Sequence, residues 1–135
     1  MIIDRQAVVF TIIGDAAEKA IPQIYEAVKT YPHAKDYVIW PGPNSNTFVA
    51  HIARQVPELS VDLPPTAIGK DYLPNAALVG KTPSGSGVQV SLVGAMGVLV
   101  GVEEGIEINL LGLTLGVDPL APAIKLPGIG RVGPL

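Results

Sequence analysis

VQVSLVGAMGVLVGVEEGIEINLLGLTLGV, residues 88–117, decides the fold. Val88, Val90 and Leu92 alternate with Gln89 and Ser91, and Val98, Val100 and Val102 alternate with Leu99, Gly101 and Glu103. Ile106, Ile108 and Leu110 alternate with Glu107 and Asn109, and Leu113, Leu115 and Val117 complete the set. Side chains of a strand point to opposite faces in turn, so a period of two predicts strands. The breaks fall at residues 94–97, at Glu104-Gly105 and at Leu111-Gly112. Strands of this length with glycine at each break predict an antiparallel meander. A membrane-spanning helix needs ~20 apolar residues. The run at 88–102 is shorter, carries Gln89, Ser91 and three glycines, and closes on Glu103 and Glu104.

Working outward, residues 6–13 are rich in Val, Ile, Phe and Thr, which suits a strand. Gly14-Asp15 ends it, and Asp15 with Glu18 three residues later fits a capping box. Ile21, Ile24, Tyr25 and Val28 then follow at helical spacing. Pro22 predicts either a kink or a helix that begins near Ile21. Pro41-Gly42-Pro43 is a rigid loop, and Asn44, Ser45 and Asn46 are all residues that start helices well. A second helix follows, with Phe48, Val49, Ile52, Ala53 and Val56 on one face and Thr47, His51, Arg54 and Gln55 on the other. Residues 58–81 read as a long ordered loop, and residues from 119 on as extended and irregular. The expectation is one α+β domain over residues 1–135, a strand and two helices followed by a Gly-rich β-meander.

Composition narrows the function classes. A chain of 135 residues with 48% hydrophobic and 16% charged residues builds a real core. The net charge is −3 and the nine Lys and Arg are scattered, so no nucleic-acid partner is expected. With no cysteine there is no disulfide, thiolate site or cysteine nucleophile. No signal peptide is expected, because Asp4 precedes the short apolar run at 7–13 and no small-residue cleavage site follows it. A cytoplasmic location is favoured on that ground.

Several motifs fail on context. Gly128-Ile129-Gly130-Arg131-Val132-Gly133 spells a dinucleotide fingerprint, but no helix is expected after Pro134. Gly69-Lys70-Asp71 has Asp where a phosphate loop has Ser or Thr, and reads as a solvated pair. His33 and His51 lack converging partners for a metal, and His51 is expected to face solvent. Glu103, Glu104 and Glu107 read as a charged hairpin end. No cofactor or metal is expected.

The segment Trp40-Pro41-Gly42-Pro43-Asn44-Ser45-Asn46-Thr47-Phe48 is the strongest local signal. Prolines fix the approach, and small polar residues open a helix whose free N–H groups suit an anion, an oxyanion or a nucleophile. Ordinary capping employs the same residue types. The candidate ligand-binding residues are Trp40, Asn44, Ser45 and Asn46, with Lys70, Asp71 and Tyr72 of the Pro-rich loop.

Tyr31-Pro32, residues 40–48, residues 62–73, Glu103-Glu104-Gly105, residues 110–113 and residues 126–130 together resemble the domain-of-unknown-function family numbered 3750, a bacterial family. The resemblance spans nearly the whole chain and implies kinship without a reaction. Asn44-Ser45-Asn46-Thr47-Phe48 is also similar to the Asn-Cys-x-x-Phe element of circularly permuted, NlpC-type papain-like domains. That similarity implies a nucleophile at Ser45, with serine in place of cysteine, and a base from an upstream strand histidine, where this chain offers His33 in a loop-like segment. An additional N-terminal segment carried by the family is expected to be missing here.

Three readings stand. The first is a non-catalytic module that binds a small ligand, peptide or protein partner through the helix start at Asn44-Ser45-Asn46 and the Pro-rich loop. The second is a degenerate or serine-based hydrolase of the permuted papain-like type. The third is a structural protein that faces a partner or a membrane through the apolar meander.

Overall fold

A computed structural model of the chain describes residues 11–133. Two helices, α1 (Asp15–Lys29) and α2 (Ser45–Gln55), precede seven strands. These are β1 (Val79–Lys81), β2 (Gly87–Leu92), β3 (Met96–Gly101), β4 (Gly105–Leu110), β5 (Leu113–Asp118), β6 (Ala123–Leu126) and β7 (Gly130–Val132). The strands form one antiparallel sheet in sequence order, so the α+β meander is as expected. The tail beyond residue 118 is not irregular, however: β6 and β7 extend the sheet by a hairpin each. The strand expected over residues 6–13 lies mostly outside the described residues, and residues 11–13 are irregular.

Helix α1 runs unbroken through Pro22, and Asp15 is its first residue, while Gly14 occupies the cap position without a side-chain cap. Its acids Asp15 and Glu18 therefore act on the N-terminal dipole and not as a capping box. Ala20 and Ala27 of α1 pack with Val56 and Leu59 beyond α2, and Ala50 packs with Leu63 and Ala67. Between them, two single-turn 3-10 segments, Pro57–Leu59 and Pro74–Ala76, shape the long loop. Of the face of α2 expected to be wet, Thr47, His51 and Arg54 are buried and Gln55 is exposed; of the face expected to be apolar, Ala53 and Val56 are buried and Val49 is exposed. His51 lies against the end of α1, its Nε2 3.1 Å from the Ala27 carbonyl.

The strand registers sort every side chain of the sheet onto one of two faces. One face carries the row Lys81, Val88, Val100, Ile106, Val117, Ile124 and Val132. Parallel to it run Val79, Val90, Val98, Ile108 and Leu115, then Leu92, Met96, Leu110 and Leu113. All fifteen apolar residues of these rows are 45–61% exposed. The other face carries Gln89, Leu99, Glu107, Lys125 and Arg131 in one row, and Ser91, Asn109 and Thr114 beside it. That polar face is turned inward, with Gln89, Ser91, Glu107, Asn109, Thr114 and Lys125 all buried. The alternation in the sequence gives the strands, and the packing inverts the usual arrangement of apolar inside and polar outside.

Asp118 closes the β5–β6 connection. Its Oδ1 accepts from the Leu120 and Ala121 amides at 3.1 and 3.0 Å, and its Oδ2 accepts from Arg131 at 3.0 Å. The Ala121 amide, more than Arg131 and the Leu120 amide, holds this carboxyl below its ordinary 3.8, against the opposing effect of burial. A folded-state pKa below the unfolded one gives stability present above about pH 4 and lost as pH falls through the folded value. Asp118→Asn is expected to cost about 1–2 kcal/mol at pH 7 and much less at pH 2. Urea denaturation of both proteins at the two pH values checks this.

Candidate functional site

The start of α2 is built from its own cap outward. Asn44 is extended, and its Oδ1 accepts from the Asn46 and Thr47 amides at 2.9 and 3.2 Å. Thr47 Oγ1 accepts from the Asn44 amide at 3.0 Å, which completes a reciprocal capping box. Two of the free N–H groups at this helix terminus are therefore already satisfied within the chain. Asn44 Nδ2 donates to the carbonyls of Ile39 and Ile68 at 2.8 and 3.1 Å. Asn46 Nδ2 donates to Ile68 at 2.8 Å, and Thr47 Oγ1 donates to Gly69 at 2.7 Å. The helix start and the Pro-rich loop thus converge at Ile68-Gly69. Gly69 has φ +102°, and a Cβ there would run into the Asn44 amide, so glycine is required twice over.

Asn44→Ala removes a cap and the clamp on two loop carbonyls together. An expected loss of about 2 kcal/mol, at the upper end for caps, follows from that double role. Thermal or urea unfolding of the variant checks it, with Ser45→Ala, whose hydroxyl makes no hydrogen bond among the described residues, expected to be near neutral.

Trp40 and Tyr72 close the same end of the sheet. A Cβ on Gly112 in the β4–β5 turn would meet the Trp40 indole nitrogen at 2.8 Å, and one on Gly94 in the β2–β3 turn would meet Tyr72 Cβ at 3.1 Å. Tyr72 stands edge-on to His33 at 5.5 Å, and Tyr31 contacts His33, Phe48 and His51 at 5.0–5.8 Å. This aromatic cluster backs a cleft of about 390 Å³ lined by Val28, Tyr31, His33, Ala34, Asp36, Tyr37, Asn44, Ser45 and Phe48. Burial, then the charge of Asp36, then Tyr72, raise the Tyr31 phenol above its ordinary 10.0, so it stays neutral.

Ser45, His33 and Asp36 thus line one cleft, in the residue types of a hydrolytic triad. Their bonding differs from one. His33 Nε2 accepts from the Asn75 amide at 3.1 Å, and its Nδ1 stands 3.6 Å from Asp36. The ring nitrogen that a serine would use is occupied by a backbone donor, and no imidazole hydrogen-bonds Ser45 among the described residues.

Lys70 and Asp71 are not a solvated pair. They are 2% and 6% exposed and turn away from the α2 start into the polar face of the sheet. Lys70 Nζ donates to Asp71 at 3.0 Å and to Glu107 Oε2 at 2.6 Å. The other oxygen of Glu107 accepts from Lys125 at 2.6 Å. Lys125 also donates to both oxygens of Asp62, at 2.8 and 2.7 Å, and to the Glu104 carbonyl at 2.8 Å. Gly116 sits between Glu107 and Lys125 in the register, where a Cβ would meet Glu107 Cγ at 3.0 Å. Its missing side chain is what lets the two charges meet across β5.

Arg54 joins α2 to this network, donating to the Lys81 and Lys70 carbonyls and to Gln89 Oε1 at 2.8–3.1 Å. Gln89 in turn donates to Asp71 at 2.9 Å. Burial brings the guanidinium down to about 10, against the pull of Asp71 and Glu104. Burial also lowers Lys70, but Asp71 and Glu107 together outweigh it and leave the ammonium above its ordinary 10.5. Glu104 is buried as well, accepting from the Ser84 amide and from the Ser84 and Ser86 hydroxyls at 2.8–3.1 Å. Of the three acids read as a charged hairpin end, Glu103 alone is exposed. Glu107 is consumed by a buried frame because its strand phase matches Gln89 and Lys125, and Glu104, in the β3–β4 turn, because Ser84 and Ser86 meet it there.

Residues 3–72 match the family model described as "Protein of unknown function (DUF3750)". The chain belongs to that family. The match takes in both helices, the α2 start and the loop through Tyr72, and stops short of β1. No curated protein and no solved structure matches the chain. No helix among the described residues is long and apolar enough to cross a membrane.

Proposed function

We propose that this family member is a non-catalytic binding module whose ligand lodges in the cleft between the end of α1, residues 31–40 and the start of α2. The observation that carries this reading is the cleft itself. Its 390 Å³ lies in the range of ~300–1,000 Å³ typical of small-ligand sites. Its walls are Val28, Tyr31, Tyr37 and Phe48, and its accessible polar groups are Ser45 and Asp36. Apolar walls with few polar groups suit an apolar or aromatic side chain of a peptide, with a peptide carbonyl accepting from the exposed Ser45 hydroxyl. Trp40, Asn44, Asn46 and Tyr72 hold the cleft's floor and rim in this reading, and Lys70 and Asp71 anchor the loop from within.

The serine-hydrolase reading has one observation in its favour, the sharing of the cleft by Ser45, His33 and Asp36. The imidazole in that cleft, His33, has its Nε2 taken by the Asn75 amide, and a serine nucleophile requires a base. One experiment addresses both. N-acetyl-phenylalaninamide and N-acetyl-leucinamide are titrated into the ¹⁵N-labelled full chain. Saturable shifts confined to Ser45, Tyr31, Tyr37 and Phe48, lost in Tyr37→Ala, are the expected result, and no saturable shift overturns the reading. Labelling of Ser45 by a fluorophosphonate, lost in Ser45→Ala, would establish the hydrolase instead.

A further inference from the structure

We infer that the outward face of the sheet is an interface between two copies of this chain. The three outward rows are apolar throughout, apart from Lys81 at one corner, and α2 and the long loop attach on the opposite side. A contiguous apolar surface of this extent exceeds what a soluble monomer leaves bare.

Three considerations select a second copy. The first is area. Fifteen aliphatic side chains, each about half exposed, present on the order of 1,000 Å² per copy, against ~800 Å² per partner in a standard stable interface. The second is shape. Four six-residue strands, flanked by three shorter ones, make a face up to roughly 20 Å by 30 Å, and another sheet stacked ~10 Å away covers such a face. A two-fold axis through the face brings each row against its equivalent, and an all-apolar surface is self-complementary without any charge pairing. The edge strands β1 and β7 are three residues each, which disfavours edge-to-edge association and leaves the face as the route to assembly.

The third is charge and length, which set the lipid alternative aside. A bilayer-spanning strand takes ~9–11 residues, and the longest among the described residues have six. Binding flat on an anionic surface draws on a basic rim, whereas among the described residues the face carries Lys81 alone, and the chain has a net charge of −3.

Sedimentation equilibrium of the full chain across the micromolar range tests the inference. The expected result is a species of twice 14.0 kDa that dissociates on dilution. Ile108→Lys, at the centre of the middle row, is expected to abolish the dimer while keeping the wild-type circular dichroism, because residue 108 faces outward in each copy. As a check independent of that variant's folding, the cysteine-free chain is given a single cysteine at Val98 or at Tyr25 on α1. Mild oxidation is expected to link copies through position 98 and not through position 25. A monomer throughout the range overturns the inference, as does a dimer undisturbed by Ile108→Lys. So does a monomer that partitions onto phosphatidylcholine–phosphatidylglycerol vesicles, which would assign the face to lipid.

Discussion

Glu107→Ala is expected to destabilise the protein by about 3–5 kcal/mol, measured by urea denaturation at pH 7. The magnitude follows from what remains. Glu107 is 2% exposed and receives one ammonium on each oxygen, Lys70 on one and Lys125 on the other. Removing it leaves Lys70 with Asp71 and Lys125 with Asp62, each short of one buried charge-assisted hydrogen bond, and breaking buried ion pairs from one side is strongly destabilising. Glu107→Gln keeps the shape and one acceptor, so its loss is expected to be smaller. Because the pairs are buried, raising the salt concentration is expected to leave both losses nearly unchanged, unlike a surface pair such as Lys29–Glu26.

The second large effect is expected at Arg54. Arg54→Ala should cost about 3 kcal/mol, since three acceptors on three separate segments lose their donor at once. These are the Lys70 carbonyl in the loop, the Lys81 carbonyl on β1 and Gln89 on β2. The guanidinium is the side chain through which α2 holds the sheet, so hydrogen exchange should also rise in β1 and β2 well before it rises in α1. A uniform rise across both helices and the sheet would contradict that role.

Much of this architecture is legible in the residues. The period-two alternation over residues 88–117 specifies strands, and the glycines specify their turns. What the alternation does not specify is which phase faces in, because a period of two is the same pattern from either side. Here the polar phase of Gln89, Glu107 and Lys125 faces in, and the three stand at one level on alternate strands, with charges of opposite sign meeting across Gly116 of β5. In α2 both faces are partly buried: Ala53 and Val56 pack as their apolar character suggests, and Thr47, His51 and Arg54, which look wet by composition, are buried because each finds a specific partner. β6 and β7 escape notice because Pro127 and Gly128, which look like irregular chain, are the turn between them. The site is legible in part. Asn44, Ser45 and Asn46 do start a helix, and Ile68-Gly69 does meet them. The cleft walls Tyr31, Tyr37 and Phe48 belong to three separate segments whose convergence depends on the packing of α1 on α2, which no local pattern encodes.

The sheet turns its charges inward and its apolar side chains outward. Brief acetylation of the native protein, followed by mass spectrometry of each lysine, tests it most directly. Lys19, Lys29, Lys35 and Lys81 are exposed, and Lys70 and Lys125 are 2% and 1% exposed. Rapid modification of the first four is expected, with Lys70 and Lys125 modified only on unfolding. Modification of Lys70 and Lys125 in the native protein at the rate of Lys19 and Lys29 would contradict it.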